Sequence, residues 1–254
     1  KNAVKLSLRD DITPQIIRIA SSRLANKKRP LKLCYYGEVV RKKGTILRPE
    51  RQFQQIGAEI IGSDSYKADF EIINLAYESL KKIGVSNIVI EISTPFFLDK
   101  LLNKVKNSKN KTLLKKFIKL KDLDSCLKLL ENNDQINNLR KIYSCSGSIK
   151  KNKSKLLNLV DSFGYNKEIE KLIKIAEMIK ISKKDFINID LFEIHEKKYY
   201  QGIRFTFFAK NIRGEIAKGG RYLLKYGQNS ETAVGYTCFM DTVLRASSLK
   251  TKIK

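Results

Sequence analysis

The sequence has few of the residues that build metal and disulfide sites. His195 is its only histidine, and its four cysteines, Cys34, Cys126, Cys145 and Cys238, lie far apart with no CxxC spacing. Zinc sites need Cys and His ligands at short, characteristic spacing, so the sequence argues against one and predicts free thiols. No Ser or Cys nucleophile context accompanies His195, which favours a packed or surface histidine over a lone catalytic one.

Signals for membranes, secretion and nucleotide cofactors are also missing. No apolar run reaches the roughly 18 residues that a membrane span needs. The N-terminus lacks the charged, apolar and small-residue series of a signal peptide. The sequence contains no phosphate-binding P-loop and no dinucleotide fingerprint. We therefore expect a cytoplasmic protein with no membrane contact and no cofactor.

Acidic residues are scarce beside basic ones. The 51 Lys and Arg residues against 26 Asp and Glu give a net charge of +25. Such a charge can indicate a nucleic-acid partner, but the densest lysine run, 104–121, contains no arginine and only one aromatic residue, Phe117. Recognition surfaces usually carry arginine and stacking rings. A compositional bias and a polyanion-binding surface both remain open, and we expect any RNA binding to be weak and nonspecific.

Hydrophobic periodicity predicts helices and strands toward both ends of the chain. Thr13 and Pro14 are predicted to start the first helix, with Thr13 as its N-cap, and Thr94 and Pro95 repeat this start. The predicted helices cover about 14–26, 66–83, 95–103 and 240–249. The predicted strands cover 31–41, 51–62, 87–93, 186–194, 199–210, 212–222 and 233–239, of which the first two form a long hairpin.

The middle of the chain has a different pattern. Residues 104–182 are almost entirely helical in periodicity, with Leu and Ile stripes in a Lys- and Asn-rich background. We expect a core built from 1–103 and 183–254, with 104–182 as a helical insertion. An antiparallel sheet that is flanked by helices and interrupted in this way is an α+β design, unlike the regular strand and helix alternation of a parallel sheet.

The second strand of the predicted hairpin has a polar face. Gln55, Gly57 and Glu59 share this face because strand side chains alternate with a period of two. Gly57 leaves room above the strand, and the oxygens of Gln55 and Glu59 are acceptors that suit an ammonium group. Arg41 is the last residue on the corresponding face of the first strand, where its guanidinium group could bind a carboxylate. The pattern fits the floor of a polar pocket, or an ordinary solvent-exposed sheet face.

Two further motifs point to a pocket of the same kind. Tyr199 and Tyr200 begin a predicted strand. Gly219 and Gly220 stand next to Arg221 and Tyr222, and two permissive residues allow a backbone to approach a ligand closely. For the glycine pair, a β-bulge or a turn is the alternative interpretation.

Taken in order, these motifs resemble the catalytic core of histidyl-tRNA synthetases, which are class II aminoacyl-tRNA synthetases. The resemblance covers 6–103 and 186–245, and is carried by LRDDITPQ (8–15), YGEVVR (36–41), RQFQQIGAEIIG (51–62), YYQG (199–202), GGRY (219–222) and AVGY (233–236). It implies the class II fold and a histidine pocket. The positions at which the family contacts histidine or the adjoining phosphate are Asp11, Thr13, Arg41, Gln55, Glu59, Tyr199, Tyr200 and Tyr222.

The resemblance also implies roles for these side chains. Gln55 and Glu59 would receive the ammonium group of histidine, and Tyr200 and Tyr222 would hold the imidazole. Asp11, one methylene shorter than the glutamate usual in the family, would still reach the amino group.

The chain departs from the synthetase pattern where ATP is handled. Thr242 stands at the position of an arginine that holds the ATP phosphates, and a second activating arginine falls near His195 or Lys197. Lys43 replaces a glutamate two residues after Arg41. Because stabilising a reacting triphosphate is worth several kcal/mol, losing two arginines should abolish adenylation.

A related family, the regulatory subunits of ATP phosphoribosyltransferase, shares this core. The residues at 8–9 and 51–62 resemble the sequences of this family more closely than those of the synthetases. The resemblance implies a non-catalytic subunit that the short-form catalytic subunit needs for activity. It also implies histidine as effector in the first step of histidine biosynthesis, and a homodimer within a hetero-oligomer. No C-terminal anticodon-binding domain and no specific tRNA binding are expected. The alternatives are a truncated or divergent histidyl-tRNA synthetase and another ligand-binding paralogue.

Overall fold

The computed structural model describes residues 7–44, 49–163, 166–194, 200–210, 212–226 and 229–249. His195, Lys197 and Tyr199, which the sequence singled out, lie outside this set. Over the described residues, no helix combines the length and the apolar character that a membrane crossing requires.

Helices α1–α9 and strands β1–β8 account for most of the described residues. In chain order they are α1 (Thr13–Ser21), β1 (Leu31–Val40), β2 (Gln52–Ile61), α2 (Tyr66–Lys82), β3 (Ile88–Ser93), α3 (Phe96–Lys104), α4 (Ser108–Lys119), α5 (Leu123–Leu127), α6 (Asn133–Ser144), β4 (Gly147–Ser148), α7 (Ile149–Phe163), α8 (Asn166–Met178), β5 (Phe186–Ile189), β6 (Tyr200–Ala209), β7 (Ala217–Tyr226), β8 (Asn229–Phe239) and α9 (Met240–Ala246).

The strands form one sheet in the order β1-β2-β8-β7-β6-β3-β5-β4. The β1–β2 hairpin is antiparallel, and so is the β2–β8 pair. The expected α+β fold is confirmed, with one correction: the sheet is mixed, because β5 runs parallel to β3. Between these two strands the chain passes through α3 to α8, and a crossover of that kind is what brings two strands into parallel register.

Two predicted element boundaries are wrong for local chemical reasons. The N-cap of α1 is Ile12, without a side-chain cap, and Thr13 is already inside the helix. Strand β5 ends at Ile189 rather than near 194, because the Asp190 carboxylate accepts a hydrogen bond from the backbone N–H of Phe192 at 2.9 Å. An Asp that bonds the backbone two residues on makes a turn and ends a strand.

The described residues cluster into two compact units. Unit 1 takes residues from 1–88, 206–219 and 223–254, and unit 2 from 89–205 and 220–222. In unit 1, α2 begins at the N-cap Ser65, whose side chain accepts from the N–H of Lys67, and buries an apolar stripe that includes Ile72, Ile73 and Leu80. Unit 2 contains the helices of the predicted insertion, and the boundaries predicted for that insertion stay a prediction.

Candidate functional site

The polar face of strand β2 is buried inside unit 1. Gln55 is 3% exposed and Glu59 is 2% exposed, so the interpretation as a solvent-exposed face is wrong. Glu59 accepts a hydrogen bond from the Thr13 hydroxyl at 3.3 Å. That hydroxyl also lies 3.3 Å from the hydroxyl of Tyr35, which in turn lies 2.6 Å from the hydroxyl of Thr237. These groups form a hydrogen-bonded network around a buried carboxylate.

The first turn of α1 is tied to this network. The Asp11 carboxylate accepts from the backbone N–H of Thr13 at 3.2 Å, and the backbone N–H of Ile12 donates to Gln55 Oε1 at 3.2 Å. Thr13 points its hydroxyl at Glu59 instead of capping the helix, which is why its predicted capping role fails. Asp11, Thr13, Gln55 and Glu59, four of the residues predicted for the site, are therefore brought together.

Two glycines make room for this arrangement. A Cβ atom on Gly57 would collide with the ring of Tyr35 and with the backbone oxygen of Tyr236. The space predicted above Gly57 is thus filled by Tyr35 rather than left for a ligand. Gly235 is the cross-strand partner of Glu59. A Cβ atom on Gly235 would collide with the Glu59 carboxylate, which lies over it.

Sequence reasoning left Tyr35 out of the site. The hairpin register pairs it with Gly57, and a tyrosine opposite a glycine is the signal that was available. Burial raises the pKa of the Tyr35 phenol, and the charge of Glu59 raises it further. The hydroxyl therefore stays protonated at neutral pH and acts as a donor inside the network.

Arg41 lies at a pair of phenylalanine rings in unit 1. Its guanidinium carbon is 4.7 Å from the ring centroid of Phe53 and 5.3 Å from that of Phe239. The ammonium of Lys218 is 5.2 Å from the Phe239 centroid. Cations at this distance are attracted to the ring faces. Arg41 is thereby positioned by stacking, and the carboxylate or phosphate contact predicted for it stays a prediction.

Unit 2 carries the other two predicted residues that are described. Tyr222 is buried and Tyr200 is partly exposed. A Cβ atom on Gly220 would lie 2.8 Å from the ring of Tyr200. The space left by this glycine is therefore occupied by the Tyr200 side chain and not left for a ligand. Gly219 and Gly220 both lie inside β7, which excludes the turn interpretation. Tyr199 is outside the described residues.

Thr242 is fully buried at the position where the family resemblance places a phosphate-binding arginine. Its hydroxyl donates to the carboxylate of Asp241 at 3.3 Å. Lys43, the other described departure from the synthetase pattern, is exposed. The position of Thr242 therefore supplies no positive charge for a triphosphate.

The sequence profile of the histidyl-tRNA synthetase family matches residues 2–243. A curated protein of Paramagnetospirillum magneticum, named ATP phosphoribosyltransferase regulatory subunit, is 33% identical over 242 residues, covering 95% of this chain and 63% of that protein. A protein of the same name from Caldanaerobacter subterraneus subsp. tengcongensis is 30% identical over 262 residues, covering 97% and 66%. The chain thus spans a little under two thirds of the length of these relatives.

Solved structures give the same fold. A Bacillus halodurans protein described as an ATP phosphoribosyltransferase regulatory subunit/histidyl-tRNA synthetase superimposes with a TM-score of 0.79 at 23% identity, covering 95% of this chain and 64% of that one. A chain of an ATP phosphoribosyl transferase complex from Thermotoga maritima gives 0.70 at 18% identity, covering 92% and 81%. The family profile matches nearly the whole chain, and the solved structures share its fold. The chain therefore belongs to the histidyl-tRNA synthetase family.

Proposed function

We propose that this chain acts as a non-catalytic regulatory subunit of ATP phosphoribosyltransferase. In this role it binds the short-form catalytic subunit, is needed for the activity of that subunit, and conveys histidine feedback in the first step of histidine biosynthesis. The observation that carries the proposal is the likeness to curated relatives of that name, at 33% and 30% identity over nearly the whole chain.

The buried network of unit 1 supports histidine as the effector. A histidine ammonium group needs acceptor oxygens, and Asp11, Gln55 and Glu59 supply them around the start of α1. Glu59 is a buried carboxylate that already accepts from Thr13, and an ammonium group that reached it would gain a charge-assisted contact. Binding that favours one state of a complex is sufficient for regulation, and no reaction chemistry is required.

The side chain at position 242 supports the proposal that the chain carries out no catalytic step. Adenylate formation concentrates negative charge on a reacting triphosphate, and enzymes stabilise it with positioned cations. The buried hydroxyl of Thr242 carries no charge and is engaged with Asp241. A chain that keeps acceptors for an amino acid and lacks this cation is suited to sensing histidine rather than to activating it.

The outer face of the hairpin supports the expected assembly, a homodimer within a hetero-oligomer. Tyr36 is 81% exposed and pairs across the hairpin with Ile56, which is 39% exposed. Strand β1 is at the edge of the sheet, and exposed edge strands with apolar side chains are usually covered by a partner. We include a cytoplasmic location and only weak, nonspecific RNA binding in the proposal.

Co-expression with the short-form catalytic subunit of the same genome is the test. We expect the two chains to co-elute, phosphoribosyl transfer to rise when this chain is added, and histidine to inhibit the complex. A catalytic subunit that is equally active alone and never co-elutes would contradict the proposal.

The second candidate is a divergent synthetase, which the family profile favours. Histidine-dependent pyrophosphate exchange separates the two. We expect no exchange above a control without enzyme, and robust exchange, or submicromolar binding that is specific for a histidine tRNA, would establish the synthetase instead.

A further inference from the structure

A cavity of about 310 Å³ lies in unit 2, beside the parallel pair β3 and β5. Sequence reasoning did not find it, because its walls come from segments far apart in the chain. The side chains that matter for its chemistry are those of Glu91, Lys121, Tyr143, Asn188, Asp190 and Phe192. Its volume is at the lower end of the range for small-molecule sites.

Glu91 and Asn188 stand next to each other on one wall. They are direct Cα partners in the parallel pair, so their side chains project from the same face of the sheet. Tyr143, which is 40% exposed, forms an aromatic wall, and its ring packs edge to face on the buried ring of Phe192 with centroids 5.1 Å apart. The cavity thus combines a carboxylate and an amide with an exposed ring.

Most of the charge around the cavity is already compensated. The carboxylates of Glu91, Asp190 and Glu193 converge, with one oxygen of each within 4.8 Å of the others. Lys121 forms an ion pair with Asp190, and Arg204 forms one with Glu193 at 2.9 Å. Within the described part of the chain, Glu91 has neither a hydrogen bond nor an ion pair, and the side-chain amide of Asn188 has no hydrogen bond.

The backbone of Lys121 is fixed at the end of helix α4. It has a φ of 58°, a left-handed conformation that favours glycine. The N–H of Lys121 bonds Ile118 O at 3.0 Å and the N–H of Asp122 bonds Phe117 O at 3.0 Å, which is the Schellman ending of a helix. The ammonium of Lys121 also donates to Phe192 O at 2.6 Å. The direct contacts of this cation are with Asp190 and Phe192, so among the described residues Glu91 has no ion pair of its own and feels Lys121 and Arg204 only as neighbouring charges.

Burial raises the pKa of the Glu91 carboxyl, the charges of Asp190 and Glu193 raise it further, and the charges of Lys121 and Arg204 offset only part of this shift. A carboxylate in this position costs free energy when it ionises without a partner. A ligand with one positive charge would remove that cost. A divalent metal fits the cavity less well, because two of the three carboxylates are already paired with Lys121 and Arg204.

We propose that this cavity binds a small organic monocation of the primary-amine class. Its ammonium group pairs with Glu91 and donates to the amide oxygen of Asn188, while its carbon skeleton lies against the ring of Tyr143. The site is separate from the histidine pocket proposed in unit 1, and it does not depend on the proposed function.

Phenethylamine is the probe, and 2-phenylethanol, of similar size and without charge, is its neutral counterpart. Binding of each to the full chain is measured by ligand-observed NMR titration. Glu91→Gln and Asn188→Ala are the test variants. Glu177→Gln is the matched control, because Glu177 is an exposed carboxylate of unit 2 that pairs with Lys153 at 2.6 Å. Circular dichroism verifies that each variant is folded.

We expect saturable binding of the amine to the wild-type chain and to Glu177→Gln. Glu91→Gln should weaken this binding about tenfold or more, the effect of removing a charged partner, and Asn188→Ala should weaken it less. Equal binding of the amine and the alcohol would overturn the proposal. So would equal affinity in folded Glu91→Gln, or Mn²⁺ binding at the cavity without amine binding.

Discussion

The phenol ring of Tyr35 covers Gly57, the residue directly opposite it across the β1–β2 hairpin. From this position its hydroxyl reaches Thr13 on α1 and Thr237 on β8. One glycine therefore lets a single side chain join a helix and a neighbouring strand around the buried carboxylate of Glu59. The missing Cβ of Gly57 is needed by the fold itself, whether or not a ligand binds nearby.

Replacing Gly57 with alanine should therefore destabilise unit 1. The new methyl group would meet the backbone oxygen of Tyr236, which cannot swing aside as a side chain can. We expect a loss of about 1–3 kcal/mol in the free energy of unfolding, as for other overpacked positions, measured by urea denaturation. Gly37→Ala is the control on the same hairpin, because its methyl group meets chiefly the movable end of Arg9. Equal stability of the two variants would show that the Tyr35–Gly57 packing is dispensable.

The hydroxyl of Thr13 gives a second stability prediction. Thr13→Val keeps the shape of the side chain but removes the hydroxyl that donates to Glu59 and meets Tyr35. Removing a hydrogen-bond donor from a buried carboxylate costs about 1–3 kcal/mol, and urea denaturation should show a loss of this size. Thr13→Ser keeps the hydroxyl and should retain most of the stability. If valine were tolerated as well as serine, the network would contribute nothing to folding.

The sequence predicted the hairpin and its polar face well, because alternation along a strand is a local signal. Gln55, Gly57 and Glu59 share a face for that reason alone. What occupies the space above that face depends on a partner strand, and the sequence pattern could not distinguish a ligand from Tyr35. The capping role of Thr13 failed for the same reason: a distant carboxylate, that of Glu59, competes for its hydroxyl.

The unit 2 cavity lay beyond sequence reasoning altogether. Glu91 lies on a mostly buried strand, Lys121 follows a helix end, and Asp190 ends another strand. Each position has an ordinary local explanation. The parallel pairing of β3 with β5, which the sequence did not predict, brings Glu91 and Asp190 together, and the ion pair of Lys121 with Asp190 adds the third residue.

The histidine pocket is tested by removing the charge of Glu59. If histidine binds in unit 1 as proposed, Glu59→Gln should weaken histidine binding by about 1.5–3 kcal/mol, the range for a hydrogen bond to a charged group. Calorimetry on the complex with the catalytic subunit measures this, together with the histidine concentration that gives half inhibition. Glu71→Gln is the control, because Glu71 is an exposed carboxylate of unit 1 paired with Lys32. If Glu59→Gln leaves affinity and inhibition unchanged, histidine binds elsewhere.

Thiol reactivity should single out Cys34. All four cysteines are free, and only Cys34, on strand β1, is exposed. Burial raises the pKa of Cys126 to about 12, of Cys145 to about 11 and of Cys238 to about 12, so these three hold almost no thiolate at mildly alkaline pH. A thiol reagent added to dilute native protein should modify one cysteine quickly, and all four after denaturation. Fast modification of the folded Cys34→Ser variant would contradict this.

The raised pKa of Glu91 makes a prediction about stability and pH. The groups around it are the carboxylates of Asp190 and Glu193 and the cations of Lys121 and Arg204, and burial is the main cause of the shift. Because the folded-state pKa lies above the ordinary value of 4.5, the folded protein holds this proton more tightly than the unfolded chain does. The stabilisation is therefore complete below about 4.5 and is lost as the pH rises through the folded-state pKa.

Glu91→Gln cannot ionise, so it should escape this loss. We expect the free energy of unfolding of the variant to rise relative to that of the wild-type chain as the pH increases from about 4.5 through the folded-state pKa of Glu91, because the wild-type carboxyl must ionise in a buried position over that interval. Urea denaturation at several pH values gives the difference directly. Glu177→Gln, which removes an exposed carboxylate paired with Lys153, should show no such gain. If the difference in free energy of unfolding between Glu91→Gln and the wild-type chain stayed flat or fell with pH, Glu91 would be compensated in the folded protein. If the cavity binds phenethylamine, a saturating concentration of it should reduce the pH dependence of the wild-type stability.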